Sequence, residues 1–167
     1  PKLGKRLLTN CVTSLLVSLI AISLYINIRF DSKYAFYALI ALFHDLLIVF
    51  GIFSWLGIIL SVEVNSLFAV SLLTIAGYSV NDTVVIFDRI RENLKSRNEG
   101  YNETIQSSVN ESFRRTTFTS FTTLIPLFSL ILFGSYSLFW FSLSLSIGII
   151  VGSYSSILLA PSFLLKD

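Results

Sequence analysis

The sequence predicts an all-α fold, a polytopic transmembrane helix bundle with five spans. Two observations carry that prediction. Apolar residues make up 54% of the 167, charged residues only 13%, and Phe alone contributes 15. The charges also fall in patches, separated by apolar runs of about 18 residues or more, the length needed to cross a ~30 Å hydrocarbon core. A soluble domain of this length has no interior large enough to hide so much apolar surface.

The first span is read over 7–28 and is closed by "RFDSK". The second, 34–60, contains His44 and Asp45 and is closed by "SVEVN". The third covers 66–87 and opens into a long polar loop, 88–115. The fourth, 116–133, is tied by the short "GSY" to the fifth, 137–165. The whole chain is thus one transmembrane domain.

Orientation follows from Lys and Arg in the short flanks. Arg29, Lys33, Arg89, Arg91, Lys95, Arg97, Arg114, Arg115 and Lys166 fall on one side, nine of the twelve basic residues. Lys2, Lys5 and Arg6 fall on the other. The richer side is expected to be cytoplasmic, which puts the N-terminus outside and the C-terminus inside. In the loop, helical register continues through "DRIRENLKSR" and "NEGYN" gives a turn. Ile105, Val109 and Phe113 then recur every four positions, an amphipathic helix over 103–113. It either lies on the membrane surface or packs under the bundle.

Several function classes are excluded or weakened. The net charge of +2 gives no nucleic-acid footprint. Cys11 is the one cysteine, so there is no internal disulfide, and its apolar run marks it as a packing residue. Ligand spacing for a metal is absent around His44, and no cofactor is expected. No nucleophile–base pair or phosphate-cradling glycine loop suggests an enzyme. The triplets at Asn81, Asn102 and Asn110 lie in a span or on the cytoplasmic side, which argues against glycosylation. The chain starts at Pro1 and has no Met, so it is expected to be a piece of a longer product. The first apolar run is too long for a signal peptide.

The polar residues inside the spans are the functional candidates. An ionisable side chain at the bilayer centre costs at least ~2.5–3.5 kcal/mol, so its retention points to a use. Asp82 and Asp45 qualify, with His44 beside the second. Three- and four-residue steps place Asp82 on a stripe with Ser71, Thr74, Tyr78 and Arg89, while Leu73, Val80, Val84 and Phe87 are expected to face lipid. Asp45 shares its face with Ala38 and Ala41, which admit a close neighbour. The fourth span supplies a partner in "RRTTFTSFTTLIP", where Arg115 leads a hydroxyl-rich half-helix and Pro126 frees the carbonyl of Thr122. An Asp82 whose arginine swings toward and away can load and release a proton; a static Asp82–Arg115 pair is the alternative. Asp45 and His44 are weaker candidates for the same relay. Small residues at Gly77, and at Ser144, Gly148, Gly152, Ser156 and Ala160 every four positions, mark helix packing.

These motifs resemble a known family. "LLTIAGYSVNDTVVIFDRIREN" at 72–93 looks like the signature of the SecF type of protein-export membrane subunits, in the SecD/SecF family related to the RND proton-driven transporters. "HD" at His44–Asp45, "RTTFTSFTTL" from Arg115 and "GIIVGSYSSI" from Gly148 extend the resemblance over the last four spans. "PKLGKRLL" is similar to the family's lead into its second span. The resemblance implies the C-terminal membrane half, five of six spans, with an extracytoplasmic domain preceding it. It further implies a non-enzymatic subunit that pairs with SecD beside the SecY-E-G translocon, with YajC as a candidate further partner. Such a pair draws preproteins across the lipid bilayer with the proton motive force. The membrane would be a bacterial inner membrane or one of plastid or thylakoid type. Asp82 and Arg115 match the family's proton-relay positions. A purely structural partner subunit and an RND-type small-molecule exporter are the alternative readings.

Overall fold

The protein was described from a computed structural model covering residues 2–62, 65–98 and 100–165. Lys166 of the basic flank lies outside the described residues. The predicted bundle of five apolar helices is present. α1 is Lys2–Arg29, α2 Ser32–Leu60, α3 Ser66–Ser96 and α4 Tyr101–Phe133. α5, Tyr136–Tyr154, continues through a π-helical turn, Ser155–Leu159, into a last short helix, α6, Ala160–Leu164.

The polar loop is much shorter than the hydropathy suggests. α3 runs on to Ser96 and α4 begins at Tyr101, so only residues 97–100 connect them. The amphipathic stretch is therefore the first turns of α4, and it does not lie apart on a membrane surface. Nothing between Phe113 and Thr116 breaks a helix, and the hydrogen-bond ladder passes straight through. The two charged extensions bind each other. Arg89 Nε donates to Glu111 Oε2 at 2.7 Å, Arg97 donates to Glu111 Oε1, and Asn93 Nδ2 donates to Ser108 Oγ at 2.9 Å. Ile90 and Ile105 are fully buried in this helical pair.

α3 is the centre of the bundle, with α1, α2, α4 and α5 all packed on it. Of its apolar window 56% is buried, against 6% for α1, which lies at the periphery. This corrects the expectation for its lipid face. Val80 and Phe87 are buried, and Phe87 meets Phe30 and Tyr34 edge-on at 6.1 and 5.5 Å. Apolar side chains pointing at a neighbouring helix and at lipid look alike in a sequence. What α3 leaves exposed is a polar and small-residue stripe, Thr74, Gly77 and Asn81.

Two apolar clusters hold the helices together. One, toward the charged end, gathers Ile26, Phe30, Leu42, Phe87, Ile90 and Leu164. The other gathers Val49, Phe53, Phe68, Ile75, Leu145 and Ile149. Along α2 and α5 the residues between them form a polar layer, with Asp45, Ser155 and Ser156 all fully buried. Small residues make the layer possible. Gly148 leaves its space to Ile75, and a Cβ on Gly152 would stand 3.3 Å from Ser79 Cβ. Gly77, in contrast, meets nothing within 4 Å and packs on no helix of this chain.

The small-residue ridge of α5 is not continuous. The amide of Ala160 donates to the carbonyl of Ser155, five residues back, and Pro161 has no amide to offer. The helix widens by one residue at that point. Ser156 stays on the α3 side, while Ala160 joins the cluster of α1 and α2 residues.

Candidate functional site

The polar layer is built from α2, α3, α4, α5 and the π-turn. Asp45 lies on α2 between Ala41 and Val49, all three completely buried. Its Oδ2 accepts from Ser79 Oγ at 2.5 Å and from Ser155 Oγ at 2.7 Å. Its Oδ1 lies 3.0 Å from His44 Nδ1. Asp45 thus ties α2 to α3 and to the π-turn. Hydrogen bonds to a charged group are worth about 1.5–3 kcal/mol each, so this carboxylate is well supported against its burial.

Asp82 is in the opposite situation. It sits one turn beyond Ser79 on α3 and is 4% exposed, yet its Oδ2 is buried with no hydrogen-bond partner. Arg115 is the charged side chain whose field acts on it. The two form no ion pair among the described residues, and Arg115 is exposed on α4. The static Asp82–Arg115 pair is therefore absent. A carboxyl oxygen left without a donor in a closed interior is an unstable arrangement for the ionised form. It is relieved by a proton, by a donor, or by movement of the arginine.

The hydroxyls of the fourth span turn mostly to their own helix. Thr119 donates to Arg115 O, Thr122 to Phe118 O and Thr123 to Thr119 O, at 2.8, 3.1 and 2.8 Å. Ser120 is the exception. Its Oγ is 3.0 Å from the Tyr78 hydroxyl on α3 and 2.5 Å from Ser153 Oγ on α5. A further bridge joins Thr83 Oγ1 to Ser156 Oγ at 2.9 Å, and Ser156 also donates to the Ser79 carbonyl at 3.3 Å.

Of the candidates read in the sequence, the layer brings together Asp45, His44, Gly152 and Ser156. Asp82 stands on the same helix one turn away. Ser144 is buried but donates to Phe141 O in its own helix at 2.8 Å, away from these groups. Ser79, Thr83, Tyr78 as a bridge, Ser120, Ser153 and Ser155 complete the layer and were not singled out. Ser79 lies three residues before Asp82, a spacing that already placed it one turn away. Ser155 carried no comparable signal, because only the π-turn brings two consecutive serines to face inward.

Comparison with known proteins agrees with this architecture. The family model described as protein export membrane protein SecD/SecF, C-terminal, matches residues 1–166. A protein translocase subunit SecF of Prochlorococcus marinus is 56% identical over 165 residues, covering 98% of this chain and 51% of the relative. One from Synechocystis is 47% identical over 163 residues, covering 97% and 52%. A protein translocase subunit SecDF of Thermus thermophilus is 42% identical over 158 residues, covering 94% of this chain and 21% of the relative. The crystal structure of the translocon-associated SecDF from Thermus superposes with a TM-score of 0.90 at 40% identity, covering 99% of this chain and 23% of that one. The chain spans about half the length of these SecF relatives. With the family model matched almost end to end and the same bundle in the solved relative, the chain belongs to the SecD/SecF family of protein-export membrane proteins, as its C-terminal membrane part.

Proposed function

We propose that this chain is the membrane part of a Sec translocase accessory subunit that promotes preprotein translocation with the proton motive force. Asp82 is the proton carrier and Arg115 the charge that responds to it. The observation that carries this reading is the Asp82 Oδ2 atom, buried in the central helix without a donor, while Arg115 stays outside pairing distance. When Asp82 ionises it attracts Arg115 and α4; when it is protonated it releases them. A unit charge crossing ~100 mV gains ~2.3 kcal/mol, and a pH gradient adds to that. This matches the size of a bias on a two-state helix packing. Such a subunit is a proton-driven machine part and not an enzyme, with protons as its coupled species.

The partner is a SecD-type subunit, a reading supported by the relative in which both are fused into one SecDF chain. Its helices would cover Thr74, Gly77 and Asn81, since polar side chains do not stay against lipid. The SecY-E-G translocon, YajC and the moving preprotein would be further partners. The charged end of the bundle, with Arg89, Arg91 and Arg115, would lie in the cytoplasm and the start of α1 outside. The test is gradient-driven secretion in vesicles carrying the full-length protein and its partner, wild type against Asp82→Asn. Asn keeps the size and cannot ionise. Loss of gradient-dependent secretion with an intact complex supports the proposal, and unchanged secretion removes Asp82 from the proton path.

A further inference from the structure

The relay above leaves a second buried carboxyl unused. Asp45 is completely buried, and the groups around it come from four directions. From its own helix His44 is the one ionisable neighbour, at 3.0 Å, and its side chain is 34% exposed on the outside of the bundle. From α3 comes the Ser79 hydroxyl, from α5 the Gly152 backbone, and from the π-turn the Ser155 hydroxyl. No Lys or Arg acts on it. The π-turn itself depends on this junction. Its first two residues both bond inward, Ser155 to Asp45 and Ser156 to Thr83 and the Ser79 carbonyl. Single π-turns recur at functional positions, because the widened helix is only marginally favoured over the ordinary one.

We propose that His44, Asp45, Ser79 and Ser155 form a second proton-binding centre, distinct from Asp82, which latches the π-turn of the fifth span to α2 and α3. The inference rests on the proton-coupled reading for its purpose, but not for its chemistry. The step is a transfer between two neighbours. A proton held on His44 Nδ1 passes to Asp45 Oδ1, the N–H bond breaks, its electron pair stays on the imidazole, and the new O–H bond neutralises the carboxylate. The hydroxyls that supported the negative charge are then free to turn. Ser155 already has another acceptor within reach, the Gly152 carbonyl at 3.2 Å. Ser79 stands between the two carboxyls on α3, so its release alters the helix that carries Asp82. The ionised state holds the three elements together; the protonated state lets the π-turn relax.

The experiment is infrared difference titration of the full-length protein reconstituted with its partner in liposomes. A protonated buried carboxyl absorbs apart from ionised ones. The expected result is a titrating carboxyl band that disappears in Asp45→Asn, survives in Asp82→Asn, and responds to Ser155→Ala. That substitution removes one donor from the ionised form and should tighten proton binding at Asp45 about tenfold, the equivalent of one hydrogen bond to a charge. Should Asp45→Asn not assemble, Ser155→Ala and Ser79→Ala carry the test alone, since each deletes a single oxygen. Absence of an Asp45-dependent band, or a band indifferent to both serine substitutions, overturns the latch. Secretion in Asp82→Asn is a separate readout: its persistence would defeat the proposed function while leaving the Asp45 band unaffected.

Discussion

Gly148 of α5 lies so close to Ile75 of α3 that a methyl group on its Cα would overlap three carbons of the isoleucine side chain. The clash is not with a flexible tip. Ile75 is β-branched, fully packed and rotamer-locked in its helix. Gly148→Ala is expected to destabilise the bundle by about 1–3 kcal/mol, the usual cost of overpacking. Ile75→Ala added to it should recover part of that loss. Thermal unfolding of the purified full-length protein measures both, and the pair should be strongly non-additive.

Ser120 is the one hydroxyl of α4 that links three helices. Replacing it with Ala removes acceptor or donor from both Tyr78 and Ser153. Interhelical hydrogen bonds in membranes average about 0.6 kcal/mol and reach about 1.7. Ser120→Ala should fall toward the upper figure and Tyr78→Phe toward the lower, with Thr122→Ala, which touches only its own helix, near neutral. Denaturation of the three variants in one detergent ranks them.

The helical hairpin at the charged end hangs on Glu111, outside the apolar segments. Donation from Asn93, then Arg89 and Arg97, holds its carboxyl below the ordinary range. A depressed folded-state value means that the contribution is fully present above the unfolded value, about 4.3. It is lost as the pH falls through the lower, folded one. Glu111→Gln should therefore loosen the hairpin at neutral pH and remove this acid sensitivity. Hydrogen exchange of residues 89–97 and proteolysis at the 97–100 connection report the change.

The exposed stripe of α3 gives a prediction about neighbours. Single cysteines at Gly77 or Asn81 should cross-link to the partner subunit in the assembled complex. Cysteines at Trp55 or Ile58, which are 70% and 82% exposed but surrounded by apolar side chains, should remain in lipid. Equal cross-linking at all four would separate the stripe from the partner interface.

The sequence showed the five apolar helices clearly, because length and hydropathy are local properties. It also put Ala38 and Ala41 on a buried face with Asp45, as small residues on one side of a helix would be. It misplaced Val80 and Phe87, since α3 is enclosed by four other helices and an apolar face gives no sign of which neighbour it has. Asp45 looked weaker than Asp82 because its support is distant. Ser79 lies 34 positions away and Ser155 lies 110. The extension of α3 and α4 was hidden by its charges, which stabilise a solvated helical hairpin as readily as they mark a loop.

The π-turn also governs how this part of the chain tolerates change in length. Up to Ser156 the fifth span is read against α3; from Ala160 the same run of residues is read against α1 and α2. Deleting one residue within 155–159 would restore an ordinary helix and rotate everything after it by about 100°. Ala160 and Leu164 would then leave their cluster, while Gly148 and Gly152 kept their places. The span is in effect two surfaces joined at a frame shift, and substitutions on either side of the joint should accumulate independently. A one-residue deletion there would disturb both at once.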